Sequence, residues 1–299
     1  MTSDAQRHHA SRYQVVPCPA HRRREALLHL AAVHTPSLQA GLQQALTAST
    51  ESDWQGLWVA MEGEYIRATA WVQPLANQTA QLWLPRHNDA AAQALLSALP
   101  GGVKQQPIIL CHVVLTEPWA AWEDTLIKSG MRAMATLEHR AWPCRAALAP
   151  QQPLRLRPFK ALTLAEQQAL LARVGEDSLD CPALRHALPV STLLAGFQSQ
   201  ATSAYPQHWY WLEYQEEPVG VLLLATPSLQ WSLQLMGLVP EWRGQGLGHV
   251  IIEHAQSLAA QAGAQCLTLT VDEQNTPAQR VYAQAGFIQL GRERLLGWY

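Results

Sequence analysis

The chain is predicted to be an α/β protein of two similar domains, each built on a mixed sheet. Three observations predict this. Strand-like and helix-like segments alternate along the chain, as they do where helices cover a sheet. Gly130-Met131 and Gly286-Phe287 lie 156 residues apart, as do Trp142 and Trp298, so the two halves close alike. Near the end, an apolar strand runs into a glycine-rich turn at 244–248 that opens a helix, the order in which a chain builds a phosphate cradle.

Length and composition fit that class. At 299 residues the chain holds about two domains of the usual ~150 residues. With 48% hydrophobic and 15% charged residues it has enough apolar material for packed cores and too little charge for a disordered chain. A net charge of -2 supplies no basic face for nucleic acid or an anionic membrane. The first residues are too polar for a secretory leader, and the most apolar run, 219–225, is far short of the ~20 residues a membrane span needs. A cytoplasmic protein that binds neither nucleic acid nor membrane is expected. The five cysteines, Cys18, Cys111, Cys144, Cys181 and Cys266, are widely spaced without a C-x-x-C pair, so reduced thiols are expected. His8-His9 has no carboxylate or cysteine partner nearby, and no metal is assigned.

In the first half, residues 58–72 alternate as a hairpin and match 211–225 at an offset of 153. Four prolines between 143 and 158 interrupt both helical and strand periodicity. The expected organisation is a domain over 1–145, a linker over 146–158 and a second domain over 159–299. In the second half, residues 162–174 carry apolar side chains at helical spacing. Segments 209–214 and 218–225 form a hairpin around Gln215-Glu216-Glu217. A strand at 229–239, a helix at 246–262, a strand at 266–271, a helix at 276–285 and a closing strand after Phe287 complete the mixed sheet.

The chemistry concentrates in Leu238-Val239-Pro240-Glu241-Trp242-Arg243-Gly244-Gln245-Gly246-Leu247-Gly248. The three glycines let backbone approach a ligand closely. The unsatisfied N–H groups of the first helical turn, the helix dipole and Arg243 favour phosphate oxygens. A nucleotide P-loop needs Lys-Ser/Thr after its last glycine, where His249-Val250 stands; a dinucleotide fingerprint needs G-x-G-x-x-G beside the first strand of its domain. Both fit poorly.

Twenty-seven residues past Gly248 begins N-x-x-A-x-x-x-Y-x-x-x-G-F, from Asn275 through Tyr282 to Phe287. Strand, R-G-x-G-x-G, helix, strand and this second motif closely resemble the acetyl-CoA-binding core of the GCN5-related N-acetyltransferases, the GNAT family. The detailed match covers about 238–287, and the element order extends it to roughly 155–299. The resemblance implies a tandem GNAT fold and an N-acetyltransferase that moves an acetyl group from acetyl-CoA, its co-substrate, directly to a primary amine. Carried over, Leu238 and Val239 would offer backbone groups to the pantetheine and thioester. Arg243, Gly244, Gln245, Gly246, Leu247 and Gly248 would bind the pyrophosphate, Asn275 would hold the pantetheine arm, and Tyr282 would protonate the departing thiolate.

One departure concerns the base. Many family members carry a glutamate on the strand before the glycine turn, whereas this strand reads Gln230-Trp231-Ser232-Leu233-Gln234-Leu235-Met236. The amine would lose its proton through a water chain, or to Glu176, Asp177, Asp180 or Glu213 reaching in from the acceptor side, and no base is assigned. Segment 175–189 lies where such enzymes build the acceptor pocket. In the first half, Leu126 stands where Tyr282 does, Trp119 where Asn275 does, and Leu84-Pro85-Arg86-His87-Asn88-Asp89 replaces the glycines. That half is expected to be a degenerate GNAT-like domain. The acceptor is expected to be a small-molecule or peptide amine and the protein a monomer or homodimer. A non-catalytic acyl-CoA sensor is the competing class, motivated by the missing strand carboxylate, and a tryptophan-faced scaffold is a third.

Overall fold

The structure, a computed structural model, describes residues 12–31, 43–44, 46–48, 50, 53–144, 150, 154–199, 207–226 and 229–299. His8-His9 and most of the 146–158 segment lie outside the described residues. Two compact units form: Met1–Ala133 with Leu296–Tyr299, and Met134–Leu295. They are cut differently from the ranges 1–145 and 159–299, because residues 134–143 pack with the second unit and the last four residues with the first.

In the first unit β1 (Gln14–Pro17), β2 (Leu57–Glu62), β3 (Tyr65–Pro74) and β4 (Thr79–Trp83) pair antiparallel in that order, and β5 (Leu110–Leu115) pairs parallel to β4. α1 (Arg23–Ala31) precedes β2, α2 (Ala90–Val103) links the parallel pair, and α3 (Glu123–Lys128) follows β5. Alternation along the strands divides the apolar residues between two faces. Leu95, Leu96 and Leu99 of α2 cover Val72 and Leu82 on one face. Ala26 and Leu30 of α1 cover Leu57, Val59 and Trp71 on the other.

The second unit contains most of β6 (Arg132–Pro143), then β7 (Arg155–Pro158), α4 (Leu164–Gly175), α5 (Pro182–Ala187), α6 (Val190–Ser199), β8 (Trp209–Tyr214), β9 (Glu217–Ala225), β10 (Gln230–Leu238), α7 (Leu247–Gln261), β11 (Cys266–Asp272), α8 (Thr276–Gln284) and β12 (Ile288–Trp298), the last three residues of which belong to the first unit. Its strand order is β12-β6-β11-β10-β9-β8-β7. α4 starts where Thr163 and Glu166 cap each other reciprocally, the Glu166 carboxylate accepting the Thr163 N–H at 2.7 Å. Leu170, Leu171 and Val174 of α4 pack with Leu194 of α6 on Val221 and Leu223 of β9. Ile251, Ile252 and Ala255 of α7 pack on the opposite face with Leu222, Leu233 and Leu267. The result is a mixed sheet between two helical layers.

The two units repeat one element order: a hairpin, a third strand, a helix, a strand parallel to that third one, a short helix and a closing strand. The repeat reaches single hydrogen bonds. Gly130 and Gly286 both take positive φ, +95° and +84°, at the end of the short helix. The N–H groups of Met131 and Phe287 then return to the carbonyls of Leu126 and Tyr282, each at 3.0 Å. This is the left-handed helix stop that glycine adopts without strain, and it aligns Leu126 with Tyr282 as the sequence spacing predicts.

Candidate active site

The site grows out of a divergence between two strands. β10 and β11 pair in parallel only from Gln230↔Cys266 to Leu233↔Leu269. At Gln234 the β10–β9 register slips, while β11 continues against β6 as far as Asp272. A bulge bends its strand and increases local twist, so β10 leaves β11 and opens a cleft of about 620 Å³. Residues 233–238 of β10, the glycine turn, Thr270, the first two turns of α8 and residues 177–180 line it.

The glycine turn is built for an anion. Gly244 and Gly246 have φ of +73° and +82°, and a Cβ on either would meet open space. Gly246 is the N-cap of α7 and supplies no side chain to its first turn, which leaves N–H groups there without an intrahelical partner. The equivalent helix of the first unit differs. Asp89 caps α2, its carboxylate accepting from the N–H groups of Ala91 and Ala92, both at 3.0 Å. There the protein's own carboxylate takes the place an anionic ligand needs.

The expected site residues fall into three groups. Leu238, Arg243, Gly244, Gly246, Gly248, Asn275 and Tyr282 line the cleft together. Gln245 and Leu247 do not present side chains to it: the Gln245 amide turns back to the Glu241 carbonyl at 2.8 Å, and Leu247 is buried in the core. Only their backbone N–H groups belong to the turn. Val239 is placed elsewhere. It is 1% exposed, its N–H donates to Val219 at 2.9 Å and its carbonyl accepts from Trp242 at 3.1 Å. Hydrogen-bonded pairs alternate along an antiparallel ladder, so with Val239 bonded to β9 the N–H groups that face the cleft are those of Leu238 and Met236. Counting back by two from Leu238 is the signal that would have found Met236.

Arg243 is also more constrained than a phosphate-seeking side chain. Its Nε donates to the Leu238 carbonyl at 3.0 Å and a terminal nitrogen to the Val174 carbonyl at 3.1 Å, locking the end of β10 to α4. Arg243→Ala is expected to cost about 1–3 kcal/mol by leaving these carbonyls unpaired. A urea midpoint unchanged from wild type would contradict that role. His249 and Arg280 line the cleft and supply the further basic groups that the motif reading passed over.

Asn275 caps α8, its side-chain oxygen accepting from Ala278 N–H at 3.3 Å, with Pro277 in the first turn. Tyr282, one turn further, is 5% exposed and stacks at a tilt on Phe287, centroids 5.8 Å apart. Burial, and then the nearby Asp180 carboxylate, push its hydroxyl pKa well above the usual tyrosine value, so the group stays protonated. Asp180 and Asp177 line the cleft, whereas exposed Glu176 does not. Glu213 is held away by Arg155 and Arg157 across β7 and β8. The Asp180 carboxylate accepts the Asp272 N–H at 3.1 Å, and Asp272 in turn accepts the Cys181 N–H at 3.1 Å. Burial raises the pKa values of Asp180 and of the Cys181 thiol, and that thiol stays protonated as well. Sequence distance hid Asp180's place, since β11 lies 92 residues further along the chain.

Among the described residues no three or more metal-ligating side chains converge, and no helix is long and apolar enough to cross a membrane.

Comparison with known proteins agrees with this geometry. The model of the acetyltransferase (GNAT) family matches residues 176–287. The peptidyl-lysine N-acetyltransferase YjaB of Salmonella typhimurium is 37% identical over 87 residues, which are 29% of this chain and 54% of that protein. The Escherichia coli protein of the same name is 33% identical over 87 residues and 53% of its length. The chain thus spans about half the length of the curated relatives it matches. Among solved structures, a GCN5-related N-acetyltransferase from Sphaerobacter thermophilus superposes with a TM-score of 0.61 at 14% identity, over 96% of this chain and 95% of that one. A tandem GNAT protein from the clavulanic acid biosynthesis pathway does so with a TM-score of 0.52 at 14% identity, over 96% and 98%. These two likenesses speak for the fold. Residues 176–287, which carry the glycine turn, the splayed strands and Tyr282, thus match the GNAT acetyltransferase family.

Proposed function

We propose that the protein is an N-acetyltransferase whose second unit binds acetyl-CoA and passes the acetyl group to a primary amine within a ternary complex. The observation that carries this reading is the uncapped, open glycine turn at 244–248 at one end of a cleft that holds protonated Tyr282. The residues fit the co-substrate. The turn and the first N–H groups of α7 suit a pyrophosphate, and the free N–H groups of Met236 and Leu238 suit an extended arm lying along β10. Bound there, acetyl-CoA supplies an activated acetyl thioester. Tyr282 holds a proton for the sulfur that leaves.

The acceptor is read as a lysine-like amine. The curated relatives are named for peptidyl-lysine, and Asp177 and Asp180 give the acceptor end of the cleft the acidity a cationic side chain needs. The first unit, with Asp89 seated on its own helix, is read as a degenerate domain that binds no co-substrate. The protein is taken to work in the cytoplasm, as a monomer or homodimer.

Calorimetric titration of acetyl-CoA into wild type and Gly246→Trp tests the reading. One site per chain is expected, lost in a variant whose melting curve shows it folded. Two sites would refute the degenerate first unit. Binding without free thiol release in the presence of any amine would leave a sensor rather than an enzyme.

A further inference from the structure

The β10 strand has no carboxylate at the cleft, so the proton that an attacking amine must lose has no acceptor there. The sheet order supplies one from elsewhere. Because β6 lies between β11 and β12, three side chains on one face of neighbouring strands join in a line. Glu293 of β12 meets His139 Nε2 at 2.5 Å, and His139 Nδ1 meets the hydroxyl of Thr270 at 3.1 Å. Thr270 lines the cleft and is the first residue of β11 past the last parallel pair with β10, at the apex of the divergence. Leu269 and Val271 on either side of it are buried in the core, so the Thr270 side chain belongs to the opposite face.

Hydrogen-bond chemistry gives this line a direction. An ionised carboxylate only accepts, so Glu293 fixes the ring proton on Nε2; Nδ1 of the neutral ring is then an acceptor, and the Thr270 hydroxyl donates to it. The remaining lone pairs of Thr270 Oγ1 are available to an amine in the cleft.

We infer that Glu293, His139 and Thr270 form the proton-accepting relay of the acetyl transfer, with Thr270 touching the amine and His139 acting through it. This rests on the N-acetyltransferase reading above. As the amine nitrogen bonds to the acetyl carbon and the carbon–sulfur bond breaks, Thr270 accepts the amine proton and passes its own to His139 Nδ1. Tyr282 gives its proton to the sulfur. The imidazolium formed is held by Glu293 and releases its proton to water, and Tyr282 recovers one, so the sum is amine plus thioester to amide plus thiol. The strand that carries His139 belongs by sequence to the first half of the chain, which gives that half a part in the chemistry without a co-substrate site of its own.

The surroundings of His139 set the pH behaviour. Glu293 is the charged group that faces it directly, and hydrogen bonding to Glu293 raises the His139 pKa above its ordinary value against the opposing effect of burial. From β11 it meets Thr270. Asp272, further along the same strand, is committed to the Cys181 and Gln274 N–H groups, and Asp180 to Asp272. On β12, Arg294 reaches the Thr136 hydroxyl. Glu138, with Arg140 and Arg292, points to the other face. The relay needs neutral His139, so the rate should rise with pH through a pKa above 6.5.

The test combines two readouts. By NMR on the full chain without ligand, the His139 ring is expected to titrate above 6.5 in wild type and lower in Glu293→Gln. Thiol release is then followed against pH with a single-lysine peptide blocked at its N-terminus, and with a simple primary amine at high concentration. The acid limb of kcat/KM should coincide with the NMR value, shift with it in Glu293→Gln and vanish in His139→Gln, with kcat lowered about 10²–10⁴-fold. Thr270→Val should lose as much as His139→Gln, the double variant no more, and Thr270→Ser should recover most of the rate. Acetyl-CoA affinity should stay within about twofold throughout. An active wild type with an equally active His139→Gln, or an acid limb indifferent to Glu293→Gln, overturns the relay alone. Wild type that releases no thiol with either amine overturns the transferase reading and the relay with it.

Discussion

Tyr282→Phe is expected to lower kcat by about 10²–10⁴ while leaving acetyl-CoA affinity and thermal stability nearly unchanged. The ring is what α8 contributes to packing: it lies 5% exposed against Phe287, and phenylalanine keeps that contact. The hydroxyl is what the cleft contributes to chemistry. Ionised tyrosine is disfavoured at this place because burial removes its solvation and Asp180 adds a like charge. A departing thiolate therefore meets a group that is protonated over the whole physiological range. With the hydroxyl gone, the sulfur must leave as an anion or wait for water, and the loss falls on kcat rather than on binding. Steady-state kinetics beside calorimetry decide the matter. An equal loss in affinity would make Tyr282 a binding residue, and an unchanged kcat would remove it from the reaction.

How much of this was legible in the sequence depends on how far each feature reaches along the chain. Helical spacing in 162–174, the hairpin alternation of 209–225 and the strand–turn–helix at 229–262 are local patterns, and α4, β8, β9, β10 and α7 appear where those patterns lie. The glycine turn and Tyr282 share one cleft because a parallel β–α–β crossover fixes their separation. What local patterns do not encode is strand exchange. The expected domain over 1–145 includes residues 132–143, yet most of them lie in the second unit, between β11 and β12. His139 was therefore invisible as a neighbour of Thr270, 131 residues away. Val239 was misjudged for a smaller reason: which backbone groups face a cleft follows from the phase of the ladder, and a one-residue bulge at Gln234 sits upstream.

Gly220→Ala is expected to destabilise the second unit by about 1–3 kcal/mol or more and to weaken acetyl-CoA binding with it. Gly220 faces Leu238 across β9 and β10, and a Cβ there would stand 2.2 Å from the Gly237 carbonyl oxygen and 3.2 Å from its carbon. Those atoms are backbone and have no rotamer to change, so relief requires the strands to part. They would part where β10 presents the N–H groups of Met236 and Leu238 to the cleft, which ties the stability loss to the site. Gly237→Ala is the informative contrast. Its Cβ would meet Val174 Cγ1 at 2.3 Å, a side-chain methyl that a rotation can withdraw at the cost of some packing against α4. The order of melting temperatures should thus be wild type, then Gly237→Ala, then Gly220→Ala, with affinity for acetyl-CoA following the same order. Equal melting temperatures for the two variants would mean that β10 is free to move, and that the close approach of these strands does not hold the cleft open.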